Sequence, residues 1–588
     1  MEDMLRDKIE SYKVKTYCEL EEALKNASLK EDAAVIYIED DITLKKTIEA
    51  EGLKNVTITS EKGSALLGGK VFHKWDREGE FLSLRTETEP RVLIVNGVLC
   101  PKSTYPEEGC ILVKDVTDIR WMDSRNGGWN RPLNEEELTH ATVDPSEIPE
   151  ELDINNCDMR ILHIWDESTV AVKAFDRKNG VITTQYPMAH PAGAFRIMDN
   201  DKGRVIACRF LNTKYGLTKP GSWCYDRTEK KIYYLPLDGQ SEENTEAMVP
   251  VSTSLLKLKN CSHVVVENLK LFLSNAECGQ IAGLRAVNPS GAIQVEDSQD
   301  ITLNMLDISY SGGQGIKVLR SKRIAVENCV VHKCASCGIL TFECEDERIA
   351  YNELRDIGMY DLSAIPIHAG GKSLLVFVQD GRIPEKGQTI IEYNTIDRAP
   401  YCGITCNGGP HIIRNNKLTR CMLELDDGSA IYCSRAEGTL VKDNFISDIP
   451  GNKKANAVYF DEFSEDSVAD GNVSINVKVP FLAHRSKHCT LKNNIMINDG
   501  EVWIRIYRAS DFTWKNNIVS GTGDIVLECT SLEAGGNDLS KYITFDKDVM
   551  YSKNGAVWFW EMDTDNNTII KEKVNGLNRF QEDENGKY

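Results

Sequence analysis

GITCNGGPHIIRNNKLTRCMLELDDGSAIYCSRAEGTLVKDNFISDIPGNKKANAVYFD, residues 403–461, contains three β-branched segments of period two: GITCN (403–407), AIYCS (430–434) and AVYFD (457–461). The segments between them carry Asn416 and Asn444. Outward from this stretch, asparagines recur at Asn328, Asn352, Asn394, Asn416, Asn444, Asn472, Asn494 and Asn517, at intervals of 24, 42, 22, 28, 28, 22 and 23. In six of the eight cases a large apolar residue stands three positions earlier: Ile349, Ile391, Ile413, Val441, Leu491 or Trp514. GIKV (315–318), GILTF (338–342) and AIPIH (364–368) continue the strand pattern upstream. A repeat of about 20–50 residues marks a stacked architecture. No amphipathic pattern of helix length interrupts these strands, which argues against a doubly wound α/β fold. The rhythm predicts an all-β chain, a right-handed parallel β-helix of the pectate-lyase-like kind. Blades of a β-propeller repeat at about 40 residues or more. In this reading Asn occupies a left-handed corner and its amide bonds the Asn one coil up, about 4.8 Å away.

The repeat extends upstream into AAVIYIEDDITL (33–44) and NVTITSEKGSALLGG (55–69), and Tyr12 to Ala27 includes a short amphipathic helix suited to cap an open end. Residues 1–69 are therefore expected to form the cap and first coils. From 70 to 250 the chain is β-rich without a period and reads as an inserted β-domain. Residues 251–560 form the main helix with its groove, and 561–588 a C-terminal cap or tail. The extra residues at 371–389 lengthen one coil and are expected to project beside the groove.

Aligning successive strands puts Ile316, Ile339, Ile365, Ile404, Ile431, Val458 and Phe481 in one inward column. Val318, Thr341, Ile367, Cys406, Cys433, Phe460 and Ala483 form a second. Side chains alternate along a strand, so the residues between and after face outward. One outward column contains Tyr432 and Tyr459, the next His368, Asn407, Asp461 and His484, and the following positions Arg435, Glu462 and Arg485. Rings, cations and carboxylates on neighbouring rungs suit sugar binding and acid–base chemistry. A plain reading is a self-neutralising ladder, Arg435–Glu462–Arg485. A second acidic group, Glu424, Asp426 and Asp427, precedes the strand of Tyr432, with Asp361 at the matching place of an earlier coil. Its plain reading is an Asp-Gly corner. On a straight strand Asp427 and Asp461 would lie about 20 Å apart, and a bend is needed to reach the ~5–10 Å of a glycosidase pair.

Acidic residues number 90 against 69 basic ones, a formal net charge of -21, which repels polyphosphates and disfavours nucleic acid as a partner. The 18 cysteines are scattered through apolar strands and read as reduced, buried thiols. No apolar run is long enough to span a membrane, and the first 20 residues lack the apolar core of a secretory signal, so a cytoplasmic location is expected unless a signal was trimmed. Cys334 and Cys337 form a lone CxxC without a second pair, and His332 and His411 read as structural. No metal or organic cofactor is expected, and self-association is left open.

LDDGSAIY (425–432) followed by AVYFDE (457–462) resembles the carbohydrate-active parallel β-helix hydrolases. In them a D-x-G-A-I-Y-like coil precedes a Y-L-D-D-like coil. The likeness is to glycoside hydrolase family 141 and, more distantly, the family 120 β-xylosidases. RVLIVNG (91–97) and WCYDRTEKKIYYLP (223–236) resemble the V-N-G strand and the aromatic hairpin of that group. The resemblance implies cleavage of xylosides or fucosides by a carboxylate pair. Asp427 matches the acid of the first coil and Asp461 the first acid of the second; Glu462 stands where a second Asp is usual. Asp427, Asp461 and Glu462 are thus the candidate acid, base or nucleophile on a neutral oligosaccharide. Asp361, His368, Asn407, Tyr432, Arg435, Tyr459, His484 and Arg485 are the candidate substrate-binding residues. The competing readings are a Ca²⁺-assisted lyase or epimerase using the acids at 424–427, and a non-catalytic glycan-binding β-helix.

Overall fold

A computed structural model of the protein describes residues 9–114, 134–163, 165–192, 207–282, 289–369, 388–451, 455–530, 543–563 and 568–573. The lengthened coil expected at 371–389 falls almost wholly outside the described residues, as does most of the expected tail.

The coils stack as a parallel β-helix. One long sheet carries the outward columns of the candidate site, and we number its central strands β1 (Gln314–Leu319), β2 (Ile339–Phe342), β3 (Ile367–Ala369), β4 (Ile404–Asn407), β5 (Gly428–Ser434), β6 (Ala455–Asp461), β7 (Val479–His484), β8 (Val502–Tyr507) and β9 (Ile525–Thr530). Each pairs in parallel with the next, as Ile404 with Ile431 and Ile431 with Val458. The other faces of the coils merge into a second, 25-stranded sheet. Inward residues such as Ile339, Ile404, Ile431 and Phe460 are fully buried in one continuous core, each stabilising the stack by about 1.5–3 kcal/mol.

The inward columns hold with one correction. Ile367, not Ile365, pairs with both Ile339 and Ile404, so the strand of His368 is displaced by two residues from the expected alignment. The cause is local. A turn closes from the Ala364 amide to the Asp361 carbonyl, and Pro366 has no N–H for the ladder, so regular pairing restarts at Ile367. A slip of two preserves which side chains face out.

The asparagine column is real but works differently from the expected corner. Asn352, Asn394, Asn416, Asn444, Asn472, Asn494 and Asn517 are buried, and each Nδ2 donates to the Oδ1 of the next at 2.9–3.0 Å. Asp548 ends the run by accepting from Asn517 at 2.8 Å. The left-handed residue is the one before each ladder position: Tyr351, Tyr393, Asn415, Asp443, Gly471, Asn493, Asn516 and Lys547. Asn328 belongs to that second set, with φ 53°, and Cys329 holds the ladder position in its coil. Asn444 shows the stakes. It accepts from both the amide and the side chain of Asn416 at 3.0 Å and donates to the Ile413 carbonyl and Asn472 Oδ1 at 2.9 Å. Asn444→Ala strands several buried polar groups, and a loss of about 3 kcal/mol is expected, read as a lowered midpoint in chemical denaturation. An unchanged midpoint would remove the ladder from the account of stability.

α1 (Tyr17–Ser28) covers the N-terminal end, capped by Thr16 and Glu19 and burying Leu20, Ala23, Leu24 and Ala27. The residues before it are not helical: Glu10–Val14 is a strand paired in parallel with Ala34–Ile38. At the other end Thr568–Lys573 runs antiparallel along Val557–Asp563 and closes the groove sheet. Between the first coils and Leu256 the chain makes three antiparallel sheets with cores of their own. One contains the expected aromatic hairpin, Trp223–Asp226 against Lys231–Tyr234.

Candidate active site

Strand register builds the site. Thr405, Tyr432, Tyr459, Leu482, Arg505 and Glu528 share one outward column, with His368 beside Thr405. The next contains Asn407, Ser434 and Asp461, with His484 and Tyr507 paired further along. The Tyr432 and Tyr459 rings meet edge to face with centroids 5.2 Å apart.

Asp461 is the centre of this cluster. Tyr432 Oη donates to its Oδ2 at 2.5 Å, and His484 Nδ1 lies 2.8 Å from its Oδ1. Burial opposes ionisation of Asp461, but the bond and charge of His484 and the Tyr432 hydroxyl prevail and hold the carboxyl below its usual range. Burial likewise works against a charged His484, yet Asp461, Glu462 and Asp427 together raise its pKa. The two shifts favour the same state of the pair, imidazolium beside carboxylate.

Glu462 responds in the opposite sense. Burial and the neighbouring Asp461 charge push its carboxyl up, although His484, Arg485 and Arg435 pull the other way. Arg485 Nη1 stands 3.3 Å from Glu462 Oε1, and Arg435 lies over the Phe463 ring. The backbone is distinctive here. Arg435, Arg485 and Arg508 take the left-handed corner after their strands, whereas in the Asp461 coil that corner passes to Phe463. Of the ladder expected of Arg435, Glu462 and Arg485, the Glu462–Arg485 rung is an ion pair, Arg435 acts on Glu462 through its charge, and the same acid also feels the Asp461 carboxylate.

Asp427 itself has φ 59° at the mouth of β5. Its backbone carbonyl accepts from Tyr401 Oη at 3.0 Å. Gly428 leaves room for that ring, since a Cβ there would stand 2.7 Å from Tyr401 Cε2. Despite lying at the far end of its strand, Asp427 contributes to the electrostatics of Tyr459, His484 and Tyr507. The chain thus brings together Asp461, Glu462, Tyr432, Tyr459, His484 and Arg485, with Asp427 and Arg435 acting on this cluster through their charges.

Three candidates have other surroundings. Asp361 is buried in an ion pair with Arg91, whose Nη1 also donates to the Gly312 carbonyl at 2.6 Å. It sits at the seam between the inserted domain and the coils. His368 bonds Thr405 Oγ1 through Nδ1 at 2.5 Å, and burial pushes its pKa down to about 4, so it is neutral. Asn407 is buried, and neither side-chain amide atom finds a hydrogen-bond partner among the described residues. His411, read as structural, bridges the Asn407 carbonyl and the Thr389 amide. Cys334 and Cys337 are buried free thiols, as are most of the 18. Among the described residues, the acids at 424–427 do not bring three ligand atoms together.

A family model described as the right handed beta helix region matches residues 251–380 and 382–569, more than half of the sequence. The chain belongs to the right-handed β-helix family. No curated protein matches it. Among solved structures, this β-helix is similar to one named "Glycoside hydrolase", with TM-score 0.64, 16% identity, and coverage of 81% of this chain and 92% of the other. It is also similar to XylC in complex with xylose, with TM-score 0.38 and 11% identity over 94% of this chain and 86% of that one. A third is the periplasmic alginate epimerase AlgG, with TM-score 0.33 and 12% identity over 52% and 66%. At these identities the likeness to the first is one of fold.

This β-helix also receives residues that sequence columns did not reveal. Arg505 and Tyr507 continue the two outward columns by one rung, Arg505 paired with Glu528 at 2.9 Å and lying over Trp503 and Tyr507. Extending the alignment past His484 finds them. The insert adds Trp165, packed against the main core, and Asp166, whose charge bears on the Tyr401 phenol beside that of Asp427. No periodicity reaches these two, since the insert has none.

Proposed function

We propose that this right-handed β-helix protein is a glycoside hydrolase acting on neutral oligosaccharides through Asp461 and Glu462. One observation carries the reading: two neighbouring carboxyl groups have different partners, Asp461 held by Tyr432 Oη at 2.5 Å and His484 Nδ1 at 2.8 Å, and Glu462 beside Arg485 Nη1 at 3.3 Å. Against burial, His484 and Tyr432 lower the Asp461 carboxyl, while burial and Asp461 raise that of Glu462, the directions that suit a base or nucleophile and an acid. Asp461, ionised and held by Tyr432 and His484, serves the anomeric centre directly or through a water. Glu462, protonated, gives its proton to the departing oxygen. Asp427 supports the charge on His484. Tyr432 and Tyr459 offer ring edges and faces to the sugar, and Arg435 and Arg485 hydrogen bonds to its hydroxyls. The net charge of -21 and the acids in the groove favour a neutral substrate over a uronate.

The test is a panel of nitrophenyl glycosides, β-xyloside and α-fucoside first, with the full-length chain. Release of nitrophenol from at least one, abolished in the Asp461→Asn variant, is the expected outcome. Release of an unsaturated product from a uronic-acid polymer, with no hydrolysis of any neutral glycoside, would replace this reading with a lyase.

A further inference from the structure

Strands Asp158–Leu162 and Glu167–Asp176 pair antiparallel from Asp158 with Ala171 to Leu162 with Glu167, and at their end the His163 amide bonds the Asp166 carbonyl at 2.8 Å. His163 and Asp166 are therefore directly opposite at the hairpin end, where facing side chains share one side about 5 Å apart. The adjoining Ser168 points to the same side as Asp166 and accepts the Ala189 amide at 2.9 Å, which delivers His190 to the same place. His190 Nδ1 stands 2.9 Å from Asp166 Oδ2, and its ring meets His163 edge-on with centroids 5.6 Å apart. One ligand atom from each residue lies within 4.8 Å of the other two. His163 and Asp166 are buried.

We propose that His163, Asp166 and His190 form a binding site for one divalent first-row transition-metal ion, at the seam where the insert meets the groove. An imidazole–carboxylate ion pair is complete with two groups. The third, a second imidazole on the same side, matches the two-histidine, one-carboxylate donor set that suits zinc and its neighbours. Ligand atoms sit about 2.0–2.2 Å from such an ion, a reach that three atoms all within 4.8 Å of one another meet by a rotamer adjustment. Three protein ligands leave a coordination position open. The site neighbours the groove: Trp165 packs on the coil core, Glu167 accepts the Leu362 amide at 2.5 Å, and Asp166 acts on Tyr401. This inference departs from the cofactor-free expectation and holds whether or not the groove hydrolyses glycosides.

The experiment uses the full-length chain without an affinity tag that binds metal. After dialysis against a chelator, zinc or cobalt(II) is restored, and bound metal is counted by elemental mass spectrometry. One tightly held ion per chain is expected, with cobalt(II) visible bands of nitrogen and oxygen ligation. His190→Ala should weaken binding by about a hundredfold or more. No stoichiometric metal, equal binding by His190→Ala, or a sulfur-to-cobalt band showing that thiols hold the ion would each overturn the proposal. Should His190→Ala fail to fold, the cobalt spectrum of the unaltered chain decides alone.

Discussion

Asp461→Asn is expected to lower kcat by at least about a thousandfold while the fold persists. The magnitude follows from removing a carboxylate that acts on the reacting centre, and the persistence from the isosteric amide, which still meets Tyr432 and His484. A second readout separates chemistry from damage. His484 owes its raised pKa in large part to Asp461, so in the variant its titration, followed by NMR, should fall toward or below the ordinary histidine value. The linkage sign agrees. A raised folded pKa gives stability that is present below the unfolded value and lost as pH rises through the folded one. Wild type should therefore exceed the variant in stability most on the acid side of neutrality, provided Asp461 stays ionised. Full activity in the variant would exclude Asp461 from the chemistry.

Glu462→Gln is expected to erase the alkaline limb of the pH–rate profile. Activity in this account needs Asp461 ionised and Glu462 protonated. It is lost as pH falls through the depressed Asp461 value, and lost again as pH rises through the elevated Glu462 value. The amide cannot give up a proton, so a substrate with a poor leaving group should slow by about a hundred- to ten-thousandfold. A nitrophenyl glycoside, whose leaving group needs little protonation, should slow far less. An unaltered alkaline limb in Glu462→Gln, with its loss in Asp427→Asn, would move the proton donor to Asp427.

Much of the architecture was readable because stacking repeats its demands. Each coil needs inward aliphatics at period two and an amide at one corner, and Ile404, Ile431, Asn416 and Asn444 satisfy them in sequence order. The backbone role of that corner was misread because an Asn and its predecessor are both plausible left-handed residues; Asn415–Asn416 and Asn493–Asn494 are such pairs. The displaced strand at Ile367 arises from a proline and a turn, which carry no hydrophobic signature. In the site, Asp461 and His484 were legible as neighbours on successive rungs. Asp361 was misleading because its partner, Arg91, is 270 residues away in the insert. His163, Asp166 and His190 were invisible for the same reason, since only tertiary packing sets them beside the groove.

The most direct test of the proposed hydrolase is a crystal structure of Asp461→Asn soaked with whichever glycoside of the panel the unaltered chain cleaves. An intact sugar is expected across β5–β7, its anomeric carbon facing residue 461 and its glycosidic oxygen within hydrogen-bond reach of Glu462. A sugar bound on another face of the coils, or one whose scissile bond lies away from both residues, would contradict it.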